Sequence, residues 1–340
     1  MSSQIRVEIR ARSHQGSVRS TDEDHDLVVR LGRHQDTLMT SLPRGDLPGR
    51  FDDPDITAPE IHMGRVLMIG RSDALFDEVR RRAELREHDV RNCAGLVDAL
   101  RHLRQQSWDV LLTDPDTTIG DSLAVAGELS LLHPSVRIIA LWPAATHEEI
   151  VAAMRADVFA CFTDPFDAAE IADMVRAALR APDWRDGIEV VSGLPHWLTL
   201  RVACHLITAD RLTRFMSELQ ESAIPDEERD LLIAAFRELL LNAMEHGAGF
   251  DPHKVIEVTA AKTARAIVYH FKDPGPGFDP EDLKHAARSE DPDHVLASAI
   301  ERAEIGLRPG GFGMLIARHV ADELVYNERS NEVLLIKHLS

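Results

Sequence analysis

The chain has 340 residues, 44% of them hydrophobic, and carries 38 Lys+Arg against 57 Asp+Glu for a formal net charge of −19. That length accommodates two domains with their own cores and a tail, and the acidic balance argues against direct binding to nucleic acid, which needs surplus cations. No apolar run of about 18 residues is present to cross a bilayer, and MSSQIRVEIRARSHQG lacks the apolar stretch of a secretory signal.

Three cysteines, Cys93, Cys161 and Cys204, lie far apart in the chain. That usage fits a reducing cytoplasm and argues against a disulfide or zinc framework. Residues 1–63 are rich in charge, Gly, Pro and Asp. Within them LPRGDLPGRFDDPDITAPE (42–60) has four prolines and little periodicity, so this part is expected to be a tail or linker.

Residues 64–182 alternate short apolar runs with amphipathic stretches. RVLMIG (65–70), a short run near Val90, DVLLTD (109–114), VRIIALW (136–142) and VFACFTD (158–164) are expected strands. Helices are expected over 73–87, 95–106, 121–133, 147–156 and 167–180. Continuous apolar strands separated by helices predict a parallel sheet covered on both faces, a flavodoxin-like doubly wound α/β domain.

PDWRDG (182–187) marks a boundary, and the order of elements changes over 188–340. LTLRVA (198–203) is strand-like, followed by helices over 208–222 and 226–247. Strands VIEVTA (255–260) and AIVYHF (266–271) precede a long polar loop. A helix from about 311 to 322 and strands ELVYNE (323–328) and EVLLIKHL (332–339) complete the chain. Helices on one face of a mostly antiparallel sheet make an α+β sandwich.

Three segments here carry chemistry. FRELLLNAMEHG (236–247) places Glu238 and Asn242 four apart, on one face of a helix. KDPGPGF (272–278) sets Asp273 at a strand end, where it can accept a hydrogen bond from an exocyclic amine, with Gly275 and Gly277 allowing a ring to approach the backbone. RPGGFGMLIARHVADEL (308–324) leads Gly310, Gly311 and Gly313 into a helix whose N–H groups suit a phosphate. Each alone is ordinary: a solvated helix face, a turn and a loop.

In this order, the three segments resemble the GHKL-type (Bergerat) ATPases over about residues 195–339. ELLLNAMEHG, DPGPGF and RPGGFGMLIA are most similar to the anti-sigma-factor serine kinases. The resemblance implies ATP and Mg²⁺ as cofactors, with Asn242 as the metal-holding residue and Glu238 as the catalytic base. It assigns Asp273 to adenine, Gly275 and Gly277 to the turn that admits the base, and Gly310, Gly311 and Gly313 to the phosphate loop. The loop 279–309 becomes the lid, with Arg308 and His246 read as solvated and structural. The partner implied is an anti-sigma-factor antagonist or a sigma-factor-like protein, and relatives often form homodimers.

Residues 64–182 resemble a response-regulator receiver, with Asp114 in the place of the phospho-acceptor. The pattern departs at three points: Arg71-Ser72, followed by Asp73, stand where an acidic pair is expected. Trp142 replaces a hydroxyl residue, and Asp164 replaces a lysine ahead of Pro165-Phe166. Arg71 is a candidate partner for Asp114, and a docking or dimerising domain that works without phosphorylation is expected. GSVRSTDEDHDLVV resembles the opening strand of PPM-type phosphatases, with Glu23 and Asp24 as the metal pair; the other acidic motifs of that family are missing, so it is read as a remnant.

The resulting expectation is a cytoplasmic ATP-dependent Ser/Thr protein kinase regulated by a receiver-like domain. Two other readings stand beside it: a partner-switching module that binds ATP without turnover, and a histidine-kinase-type ATPase. The last needs a phospho-accepting His on a long helix pair, whereas His205 adjoins the strand-like LTLRVA.

Overall fold

Four short, mostly apolar runs and one mixed segment, DVRNC, pair side by side in one sheet: β1 (Arg65–Ile69), β2 (Asp89–Cys93), β3 (Val110–Leu112), β4 (Arg137–Trp142) and β5 (Ala160–Thr163). Their order is β2-β1-β3-β4-β5 and every pair is parallel. This is the flavodoxin-like order expected from the sequence. The computed structural model describes residues 63–70, 74–181, 187–194, 196–220, 224–277 and 312–339. Glu23 and Asp24, Arg71 to Asp73 and residues 278–311 lie outside the described residues.

Helices cover both faces of this sheet, which is why its central strands are apolar on both sides. α1 (Ala74–Arg82) and α5 (Ala168–Arg180) cover one face through Phe76, Val79, Ile171 and Val175. α2 (Leu96–Gln105), α3 (Ile119–Leu132) and α4 (His147–Arg155) cover the other through Leu103, Val125, Leu129, Ile150 and Met154. Local signals set the helix starts: Thr146 and Glu149 form a reciprocal capping box on α4, and Asp167 caps α5 by accepting from the Ala169 N–H at 2.7 Å. The helix expected over 73–87 stops at Arg82. Glu84 adopts φ 55 and Leu85–Glu87 forms a separate 3₁₀ turn.

The second sheet has six strands: β6 (Ile188–Leu194), β7 (Trp197–Ala203), β8 (Val255–Lys262), β9 (Ala266–Lys272), β10 (Glu323–Tyr326) and β11 (Glu332–His338). Their order is β10-β11-β9-β8-β7-β6 and every pair is antiparallel. β6 was not expected. Its run IEVVSGL includes Ser192-Gly193, and a register shift between Val190 and Ser192 interrupts the alternation that marks a strand.

Period-2 burial decides which face the helices take. Leu198, Leu200, Val202, Ile256, Val258, Ile267, Tyr269 and Phe271 are buried, while Trp197, Arg201, Glu257 and Lys272 are exposed. The buried set packs against α6 (Leu206–Gln220) and α7 (Asp226–Asn242), with α8 (Phe312–Val320) lying against α7. The Phe236 ring on α7 meets Tyr269 edge-on at 4.9 Å and Phe271 tilted at 5.1 Å.

A polar seam joins the two sheets. α6 lies against β5, and α4 lies against β6. Arg211, 3% exposed, donates through Nε to the Phe159 carbonyl at 2.9 Å and through Nη2 to the Val158 carbonyl at 3.4 Å. Burial pulls its guanidinium down to about 10, so it stays charged at neutral pH. Glu218 accepts from the Thr163 backbone N–H at 3.3 Å and from the Thr163 hydroxyl, and it pairs with Arg214. Arg214 also reaches Glu170 at 2.8 Å and lies 4.6 Å from the Phe162 ring centroid. Around this seam one apolar cluster is continuous from Ala140 and Cys161 to Leu212 and Phe236.

Candidate functional site

Asp273 directly follows β9, and its backbone is clamped from the β10–β11 turn. Its N–H donates to the Asn331 carbonyl at 3.0 Å, and Asn331 Nδ2 donates to the Asp273 carbonyl at 3.4 Å. Asn327 fixes that turn: its Oδ1 accepts from the N–H groups of Asn331 and Glu332 at 3.1 and 3.2 Å, and its Nδ2 reaches Asn331 Oδ1 at 2.9 Å. The Asp273 carboxylate accepts the Gly275 N–H through Oδ1 at 2.8 Å, which leaves Oδ2 as the oxygen able to accept from a ligand. Burial pushes this carboxyl above the usual carboxylate range; the Gly275 N–H opposes the shift and the charge of Glu332 adds to it.

Glycines close around this carboxylate. A Cβ on Gly247 would stand 2.1 Å from Asp273 Cγ, and one on Gly275 would stand 2.6 Å from the Gly247 carbonyl oxygen. Gly277 has φ +83, and a Cβ there would overlap the Arg329 carbonyl oxygen at 1.5 Å. The cradle therefore exists only because no side chain is present at these positions.

Gly247 reaches Asp273 because α7 does not end as an α-helix. Glu238 and Asn242 lie on α7 and are half-buried, with Asn242 its last residue. The next five residues, Ala243–Gly247, form a π-helical turn, closed by the Ala248 N–H on the Ala243 carbonyl at 3.0 Å. Such wide turns are rare and concentrate at functional sites. The structure thus brings the end of the first segment onto the second. His246 in this turn is exposed, and His205 precedes α6, its carbonyl accepting the Ala209 N–H at 3.1 Å.

Of the third segment, Arg308, Gly310 and Gly311 lie outside the described residues, and Gly313 falls in the first turn of α8. α8 is tied to β10 by the Tyr326 hydroxyl, which donates to Met314 Sδ at 3.2 Å. Among the described residues no group of three or more His, Cys, Asp or Glu could hold a metal ion.

Residues 205–337 match the histidine kinase-like ATPase domain. The match runs from the start of α6 into β11, includes all three segments, and leaves the first sheet, β6 and β7 outside. No curated protein is significantly similar in sequence. Among solved structures, an orphan response regulator of H. pylori is 18% identical, with 34% of this chain and 97% of that chain covered at a TM-score of 0.30. A response regulator from Thermotoga maritima is 17% identical, with 35% and 99% covered at a TM-score of 0.32. A CheY-like receiver domain protein from Methanospirillum hungatei is 17% identical, with 34% and 94% covered at 0.31.

The carboxyl end of the first sheet holds a second, more crowded acidic group. Asp114 follows β3 and accepts the Thr117 hydroxyl through Oδ1 at 2.6 Å. Gly70, at the end of β1 with φ +116, lies so close that a Cβ there would stand 2.2 Å from Asp114 Oδ2. Trp142 ends β4, is fully buried, and donates its indole N–H to the Ser122 hydroxyl at 3.2 Å. Asp164, after β5, is exposed.

Sequence reasoning missed the Asn327/Asn331 clamp and the role of Gly247. NERSNE (327–332) offered one signal, since Asn residues commonly close turns with their side chains. The π-helical turn has no comparable sequence mark.

Proposed function

We propose that the chain is a signalling protein that binds ATP with Mg²⁺ and phosphorylates a Ser or Thr of a partner such as an anti-sigma-factor antagonist. The observation that carries this is the glycine cradle of Gly247, Gly275 and Gly277 around a half-desolvated Asp273, inside the segment that matches histidine kinase-like ATPases. Asp273 Oδ2 would accept from the adenine amine, and the side-chain-free cradle leaves room for the ring. Asn242 would hold the metal through its amide oxygen. Glu238, one turn earlier on α7, would take the proton of the acceptor hydroxyl. Bound ATP with its ion supplies the phosphoryl group and neutralises its charge; the chain supplies position and the base.

Incubation of the full chain with γ-labelled ATP and candidate antagonist proteins from the same genome tests the kinase. Label on the antagonist's Ser or Thr, lost in Glu238→Ala with ATP binding intact, is the expected result. ATP binding without transfer would leave the partner-switching module as the function instead.

The first sheet acts in this proposal as a docking unit that works without phosphorylation. Thr117 occupies one oxygen of Asp114, and an exposed Asp164 stands where a neutralising lysine would be needed. Labelling by acetyl phosphate that vanishes in Asp114→Asn would overturn it.

A further inference from the structure

The β10–β11 turn, Asn327 to Asn331, touches the DPGPG stretch (273–277) at both of its ends. At the first end the Asp273 N–H donates to the Asn331 carbonyl at 3.0 Å. The reciprocal bond of a regular antiparallel ladder would run from the Asn331 N–H to the Asp273 carbonyl. Here that N–H goes to Asn327 Oδ1 at 3.1 Å, and Asn331 Nδ2 takes its place on the Asp273 carbonyl at 3.4 Å. At the other end the Arg329 carbonyl oxygen lies so close to Gly277 that a Cβ there would overlap it. Between the two, Ser330 is buried at φ 56 and donates its N–H to the Asn327 carbonyl at 3.0 Å.

Asn327 organises this turn with every polar atom it has. Its Oδ1 accepts the N–H groups of Asn331 and Glu332, its Nδ2 donates to Asn331 Oδ1 at 2.9 Å, and its backbone N–H donates to the Glu332 carbonyl at 3.1 Å. An ionised Asp would supply the acceptors without the donor, and a hydroxyl would have to make all three side-chain bonds through one atom. The donor bond orients Asn331: with its Oδ1 held by Asn327, its Nδ2 is turned to the Asp273 carbonyl. The neighbouring pair of the ladder is fastened by charge, since Glu332 reaches Lys272 at 3.7 Å and His270 at 3.3 Å.

We infer that Asn327 and Asn331 are positioning residues for base recognition: they fix the backbone from which Asp273 Oδ2 meets an exocyclic amine, and so they set the preference for a purine that carries one. The inference rests on the reading of Asp273 as the adenine acceptor. The plainer role for two asparagines is to close a surface turn, and the two roles differ in what a variant loses. Turn closure alone costs stability and affects all nucleotides alike. Positioning costs the bond to the amine, which the carboxylate makes well only while it is held within about 0.5 Å of its place.

The test is equilibrium binding of the full chain to ATP and to purine riboside triphosphate, which lacks the exocyclic amine, at a pH where Asp273 is ionised, with urea titration alongside. The native chain is expected to prefer ATP by roughly tenfold or more, the scale of one charge-assisted hydrogen bond. Asn331→Ala and Asn327→Ala should bring that ratio towards one by weakening ATP, while affinity for the amine-free triphosphate changes by less than about threefold. Asn327→Asp, which keeps both acceptors and loses the orienting donor, should fall between Asn327→Ala and the native chain. A preference undiminished in both alanine variants, or equal losses for the two triphosphates, would overturn the positioning role and leave Asp273 as the adenine acceptor. A native chain that binds neither triphosphate, or both alike, would remove Asp273 from the base and overturn both readings.

Discussion

The protonation state of Asp273 sets whether its free oxygen can serve an amine donor. Its carboxyl titrates above the ordinary carboxylate range because burial disfavours the charge. A ligand that donates to the carboxylate favours the ionised form, so binding is strongest above that raised value and weakens as pH falls through it. Fluorescent ATP-analogue titrations between about pH 4 and 8 should show this fall. Asp273→Asn should flatten the acid limb and weaken binding by roughly 10- to 100-fold, the worth of a charge-assisted hydrogen bond. A native chain whose affinity ignores pH over this range would remove Asp273 from the nucleotide's contacts. The neighbouring glycines are both sensitive to added bulk. A methyl at Gly247 would overlap the Asp273 carboxyl and also its Cβ at 2.4 Å, which moves only with the clamped backbone, so Gly247→Ala should cost both affinity and stability. A methyl at Gly277 meets the Arg329 carbonyl and sits at a positive φ, so Gly277→Ala should lower unfolding stability by about 2 kcal/mol or more in urea titration.

α6 shows how an element's surface can mislead. Arg211, Arg214 and Glu218 follow one another at helical spacing along LITADRLTRFMSELQ and look like a solvated charged stripe. Their partners are the carbonyls of Val158 and Phe159, and Thr163 and Glu170, far away in sequence, so nothing local marks them as buried. Removing one member of such a set strands the others away from water. Glu218→Ala is therefore expected to destabilise the chain by about 3–5 kcal/mol, whereas Glu218→Gln, which can still accept from Thr163, should cost less. Equal losses in urea titration would show that the carboxylate's bonds to Thr163 contribute nothing. Four of the five parallel strands, by contrast, were legible because each is a run of mostly apolar, buried residues, RVLMI in β1 and RIIALW in β4 among them, whereas the edge strand β2 (DVRNC) is mixed and only partly buried. β6 was not legible, since its bulge and Ser192-Gly193 break the period. At the site, the residues proposed to carry the chemistry, Glu238, Asn242 and Asp273, stand out in the sequence by type and spacing. The π-helical turn that carries Gly247 to Asp273 does not, because its cause is tertiary closure rather than local propensity.

Residues Ile61–Ser340 cluster as one compact unit, and the physical reason is the seam. One apolar core passes from the first sheet to the second, and Arg211 spends its hydrogen bonds on carbonyls that precede β5. Separating the sheets would expose that core and break the bonds of Arg211 and Glu218, a loss that resolvation of their charges only partly offsets, so neither sheet gains by opening alone. The two are then expected to unfold in a single cooperative step, and a ligand on the second must stabilise the first. Binding to the native form adds about 2.7 kcal/mol at a hundredfold excess of ligand over its dissociation constant. Amide hydrogen exchange of the central strands β1 and β4, measured where it reports global opening, should slow by roughly 100-fold when an ATP analogue is present at that excess. The same factor should appear in β8 and β9. Protection confined to β8 and β9 would mean that the first sheet opens independently, and the seam would then be a contact between separable parts rather than the core of one cooperative body.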